Sequence, residues 1–151
     1  MKKYLKYTFY IVLLIFVAIQ FMPTNYNLSD VVSENDISKK FDVPSEVQQL
    51  FETSCYDCHS NNTQYPWYNK IQPVSYLMED HITEGKEELN FNEIGSYSKR
   101  RLKSKLKSII SQLDDDEMPM FSYTIIHRDA VLSEEEKEQI KDWATSELDK
   151  L

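Results

Sequence analysis

The only two cysteines of the chain, Cys55 and Cys58, stand three positions apart in the stretch TSCYDCHSNN, and His59 follows them directly. Four chemistries use such a segment: a covalent haem site, part of a zinc site, a redox dithiol or a plain disulfide. Each demands a different fold around it, so the remainder of the sequence decides among them. The residues ahead of Cys55 read VPSEVQQLFETSC. Pro44 suits a first helical turn, and Val47, Leu50, Phe51 and Ser54 share one narrow face, so a helix runs straight into Cys55.

Apolar residues recur at helical spacing through the rest of the chain. Val74, Leu77, Met78, His81, Ile82, Gly85 and Leu89 fall three and four apart after Pro73, which predicts a helix with one apolar face and places His81 on that buried face. A third helix, from about Ser96 to Leu113, buries Leu102, Leu106, Ile109, Ile110 and Leu113 and carries Lys99, Arg100, Arg101, Lys103, Lys105 and Lys107 outward. A last helix opens at the capping box of Ser133 and Glu136 and buries Ile140, Trp143, Ala144 and Leu148. With two glycines in 151 residues there is little material for tight hairpins, and no strand pair is evident. The expected fold class is all-α, a helical domain of about four helices over residues 44–151, behind an N-terminal transmembrane helix.

That N-terminal helix rests on MKKYLKYTFYIVLLIFVAIQFMP, where Lys2, Lys3 and Lys6 precede an apolar run. From Tyr4 to Met22 it covers roughly 28 Å, close to the thickness of a bilayer core. Ala18 is followed by Ile19, Gln20, Phe21 and Met22, a poor cleavage site, so residues 1–22 read as an uncleaved signal-anchor. The lysines keep the N-terminus in the cytoplasm and place the remainder outside it. The expected location is therefore the inner membrane, single-pass, with the main domain in the periplasm. Residues 23–43, polar and aperiodic, read as a flexible tether. The net charge of −8 argues against nucleic acid as a partner and favours protein partners with cationic surfaces.

In a helix-to-turn geometry both thiols point to one side, where each can add across a vinyl group of haem while the next residue sets its imidazole beneath the iron. Cys55 and Cys58 as thioether ligands and His59 as proximal ligand account for all three residues at once. Structural zinc wants four ligands in two spaced pairs, with His81 and His127 the only completions, and no zinc is expected. A redox dithiol wants a βαβ context that the helical pattern lacks. A plain disulfide leaves His59 unexplained. One covalent haem c is the expected cofactor.

On the far side of the iron Met118 is read as the distal ligand. Pro119 pushes it toward extended backbone, and an extended loop between helices can lay a thioether over the haem face. His81 is the alternative, followed by Met78, Met120, His127 and an open site. Tyr65, Trp67 and Tyr68 are placed to pack on the ring edge or reach a propionate, or simply to pack in the loop. The basic run from Lys99 to Lys107 and the acidic run from Asp114 to Glu117 oppose the helix dipole, so a solvated charged face is expected, with a docking face or propionate clamp the sharper alternative. Asn90 and Asn92 read as a turn and a helix cap.

The succession CYDCHSNNTQYPWYNKIQPVSYLMEDHITEGKEELNFNEI, followed by EMPMFSYTIIHRDAVLSEEEKEQIKDWA, resembles the bacterial haem-binding domain family, small exported proteins with a single C-x-x-C-H site. The resemblance runs from about Pro44 to Leu148. It implies a c-type haem on Cys55, Cys58 and His59 and gives Met118-Pro119 a place in the pattern. The order of helix, C-x-x-C-H, Met-Pro and C-terminal helix is also similar to class I cytochromes c. The function expected is one-electron transfer by a membrane-tethered monohaem c-type cytochrome, with no catalytic residues. The alternatives are a peroxidase-like haem enzyme with an open sixth site and a haem-linked sensor or interaction module.

Overall fold

The computed structural model describes every residue except Met1, Asp30 and Val32, and the described residues form α-helices and 3₁₀ turns with no strand among them. In chain order the helices are α1 (Lys2–Ile19), α2 (Ile37–Lys40), α3 (Ser45–Ser54), α4 (Tyr56–His59), α5 (Val74–Glu88), α6 (Lys99–Asp114), α7 (Phe121–Thr124) and α8 (Glu134–Lys150). The all-helical expectation holds. Four of the longer helices, α3, α5, α6 and α8, match the four expected after residue 43.

Helix α6 packs along α8, and α3 crosses against α8. Leu102, Leu106 and Leu113 of α6 meet Ile140, Trp143 and Ala144 of α8 in one buried cluster with Val47 and Phe51 of α3. Aromatic rings fill its centre: Phe51 lies 4.8 Å from Phe91 and 5.3 Å from Trp143, ring centre to ring centre. Such large rings supply much of the apolar area a domain of this size can remove from water. Both long helices are capped: Ser98 accepts from the Arg101 amide, and Ser133 forms with Glu136 the complete capping box that the sequence predicts. Replacing Ser133 with alanine is expected to cost about 1 kcal/mol of stability, read as a lower denaturation midpoint.

The acidic run that closes α6 finds partners on α8. Lys141 of α8 pairs with Asp114 at 2.6 Å, and Lys137 pairs with Asp116 and Glu134. The acidic end of α6 therefore answers the lysines of α8 rather than its own dipole.

Three expectations need correction. Residues 23–43 are not wholly a tether: Ile37 in α2 is 0 % exposed, Phe41 joins the core beside Trp143, and the Trp143 indole donates to the Asp42 carbonyl at 3.1 Å. Two apolar residues four apart make one helical turn, too short to stand out from the polar residues around them. The face of α5 read as buried is mostly not. Val74, Leu77 and His81 are exposed, and Ser75 and Ile82 are the buried residues of that helix. Finally, α1 ends at Ile19, and after Lys6 its apolar part runs from Tyr7, about 20 Å of helix. Among the described residues no helix is long and apolar enough to cross a membrane.

Candidate cofactor site

Helix α3 stops at Ser54 because Cys55 takes φ −128° and ψ −36°, and the single turn of α4 begins there. The amides of Cys58 and His59 both donate to the Cys55 carbonyl, at 3.2 and 2.9 Å. Cys55, Cys58 and His59 are thereby fixed on one turn, as the helix-to-turn reading requires. Both sulfurs are free thiols. Burial pushes Cys55 up to about 12 and Cys58 up to about 11, so both are protonated at neutral pH. A reactive redox dithiol is tuned in the opposite direction.

The His59 Nδ1 lies 2.9 Å from the Gly85 carbonyl and 2.9 Å from the Leu89 carbonyl. Facing two acceptors, Nδ1 carries the proton, and Nε2 keeps its lone pair for a metal. Burial also lowers the imidazole pKa, against the opposing pull of those two carbonyls, so the ring is neutral. The carbonyls belong to the last turn of α5 and to Leu89, its C-cap residue, and this end of α5 approaches α4 very closely. A Cβ at Gly85 would sit 2.8 Å from the Cys58 carbonyl oxygen and 3.3 Å from the Cys58 Cβ. Glycine is needed there for lack of space.

A cleft opens over this turn in two connected lobes of about 320 and 260 Å³, which share Ser54, Cys55, His59, Glu88, Met118 and Pro119 in their walls. The first lobe is closed by Phe51, Leu89, Phe91, Ile109, Leu113 and Ile140. The second is bounded by Cys58, Gly85, Met120 and Tyr123, with His81 at its edge. Together they have the size and apolar lining usual for a cofactor site. Ile109, expected in the core, is half-buried because it forms this wall. Lys105, expected on the outer face of α6, borders the first lobe and pairs with Glu88 at 3.0 Å.

Met118 reaches the cleft because both sides of its loop are tied down. The amides of Glu117 and Met118 donate to the Gln112 carbonyl of α6, and Asp116 turns the chain at φ 56°, a conformation that Asp tolerates. Beyond the loop, the Tyr123 hydroxyl donates to Asp57 Oδ2 of α4 at 2.8 Å. Tyr123 also stacks on His127, whose Nε2 lies 2.8 Å from the Tyr68 hydroxyl. These contacts tie α7 to the cysteine turn.

Among the expected ligands, His59 and Met118 border both lobes, His81 and Met120 border one, and Met78 and His127 border neither. His81 is exposed at the rim rather than on a buried face. Tyr65 hydrogen-bonds Glu79, Tyr68 meets His127, and Trp67 is 77 % exposed. Asn92 does donate its amide to the Asn90 side chain as a turn would, but both side chains also join a partly buried network with Asn61 and Asp36.

Gly85, Asp57 and Tyr123 are site residues that sequence reasoning missed. Only Gly85 had a signal, as one of two glycines and inside a helix. Among the described residues no three His, Cys, Asp or Glu side chains converge to hold a bare metal ion. A haem brings its own equatorial nitrogens and asks the chain for what is present: apolar walls, two thiols, and an imidazole with Nε2 unprotonated.

No curated protein and no solved structure matches this chain. A family model described as a haem-binding domain matches residues 14–146, from within α1 to within α8. The cleft, the oriented imidazole and this match across most of its length place the chain in the haem-binding domain family.

Proposed function

We propose that the chain is a monohaem c-type cytochrome held at a membrane, passing single electrons between extracytoplasmic protein partners. The observation that carries the reading is His59, with Nδ1 committed to two carbonyls and Nε2 free, on the same turn as two thiols at the wall of an apolar cleft. Each thiol would add across one vinyl group: a sulfur–carbon bond forms, the S–H bond and the vinyl double bond break, and the proton ends on the second vinyl carbon with no oxidant required. His59 and Met118 would hold the iron. The bound haem supplies the iron couple that accepts and gives up one electron.

The residues do the rest. The Gly85 and Leu89 carbonyls polarise the imidazole and hold its orientation, which tunes its strength as a ligand. Phe51, Phe91 and Leu113 exclude water, and a soft thioether from Met118 favours the reduced state. For membrane attachment, α1 offers exposed apolar side chains from Phe9 to Val17. The acidic surface suits cationic partners.

The test is covalent attachment. The full chain, matured in a periplasm, is denatured and extracted with acidified organic solvent. Haem is expected to remain on the wild-type polypeptide and to be lost from the Cys55→Ala, Cys58→Ala double variant. Complete extraction from the wild type, or retention by the double variant, would sink the c-type reading.

A further inference from the structure

The end of α1 is not free of the domain. Gln20 Nε2 donates to the Gln72 carbonyl at 3.1 Å, and the Gln72 amide donates back to Gln20 Oε1 at 3.0 Å. Thr24 Oγ1 lies 2.8 Å from Ser75 Oγ and accepts from Gln72 Nε2 at 3.3 Å. Gln72 and Ser75 are themselves buried. The segment directly after α1 is therefore joined to the start of α5 by a hydrogen-bonded seam.

Around that seam several large apolar side chains are exposed among the described residues. Ile71 and Val74, the sequence neighbours of the seam residues, are exposed, as are Tyr76, Leu77 and Trp67. Soluble proteins rarely leave large apolar side chains together in this way unless something covers them. Trp and Tyr are the residue types that settle at a membrane–water boundary.

The length of α1 points the same way. Its uncharged part covers about 20 Å against a bilayer core of about 30 Å, a deficit usually met when flanking residues enter the interface. Phe21 and Met22, which follow α1 after Gln20, are exposed and apolar.

We propose that the surface formed by Trp67, Ile71, Val74, Tyr76 and Leu77 rests in the headgroup–acyl boundary beside α1, so that the domain is seated on the lipid instead of swinging above it. The inference rests on the reading that α1 lies in a membrane. Seating fixes the orientation of the cysteine turn, because α4 packs on α5. A partner then approaches the cleft along the membrane plane or from above it, never from the seam side.

The test uses the full-length holoprotein in vesicles of phosphatidylcholine and phosphatidylglycerol that carry a photoactivatable acyl chain. After illumination and trypsin digestion, lipid adducts are expected on α1 and on peptide 71–86, the latter roughly fivefold or more above the α8 peptides. The Trp67→Glu, Leu77→Glu variant replaces two exposed side chains and should keep the wild-type haem spectrum while losing most adducts on 71–86. Adducts on α1 alone would overturn the seating and leave the membrane reading intact. That result, with dimers formed in a parallel sample treated with a bifunctional protein cross-linker, would assign the face to a second copy of the chain. A protein that fails to float with the vesicles and carries no adducts would overturn both.

Discussion

Replacing Met118 with alanine is expected to lower the reduction potential by on the order of 0.1 V and to abolish the weak ferric band at the red edge of the visible spectrum that reports iron–thioether coordination. The magnitude follows from the chemistry of the lost bond: a soft thioether stabilises ferrous iron, whereas water or hydroxide in its place favours the ferric state. Met118 is singled out because its loop is anchored at both ends, by the Gln112 carbonyl behind it and by the Tyr123–Asp57 hydrogen bond ahead of it. It also borders both lobes of the cleft, as His59 does.

The competitors are separable in the same measurement. His81→Ala and Met120→Ala are expected to leave the band and the potential close to wild type, since each borders one lobe only. If Met120→Ala removes the band and Met118→Ala does not, the distal ligand is Met120. High-spin ferric iron in the wild type, binding cyanide readily, would move the protein from carrier to enzyme.

Local spacing carried much of this site. Cys55, Cys58 and His59 declare their geometry because all three belong to one turn, and Met118 declares itself through the proline behind it. The stripes of α6 and α8 were legible for a related reason: each helix buries one face against the other, so spacing and burial coincide. On α5 they do not. Val74, Leu77 and His81 have the spacing of a core face but remain exposed, and spacing alone does not reveal whether a face meets protein, lipid or water. Ile37 and Phe41 went unread for the opposite reason, a single turn of apolar residues inside a polar stretch. Contacts between distant segments left no trace in the sequence at all. Nothing near Asp57 foretells Tyr123, and nothing near Lys105 foretells Glu88.

Gly85→Ala should produce the largest loss of haem attachment of any substitution outside the cysteines and the axial ligands. Its added Cβ would meet the Cys58 carbonyl at 2.8 Å, and that neighbour is backbone, so α5 and the cysteine turn must separate. Overpacking of this kind costs roughly 1 to 3 kcal/mol. Here the displaced group also includes the Gly85 carbonyl that accepts from His59 Nδ1, so the imidazole loses part of its orientation along with its packing. The yield of protein carrying covalent haem is expected to fall about tenfold, and the surviving holoprotein should show a shifted potential. Gly95→Ala supplies the control. A Cβ there would meet the Asn35 Cα and carbonyl oxygen at 2.9 Å, a comparable clash remote from the cleft. It should lower the denaturation midpoint and leave the haem spectrum and potential unchanged. If the two variants lose haem in proportion to lost stability alone, Gly85 is a packing residue only. If Gly85→Ala shifts the potential at equal stability, the close approach of α5 to α4 serves the iron as well as the fold.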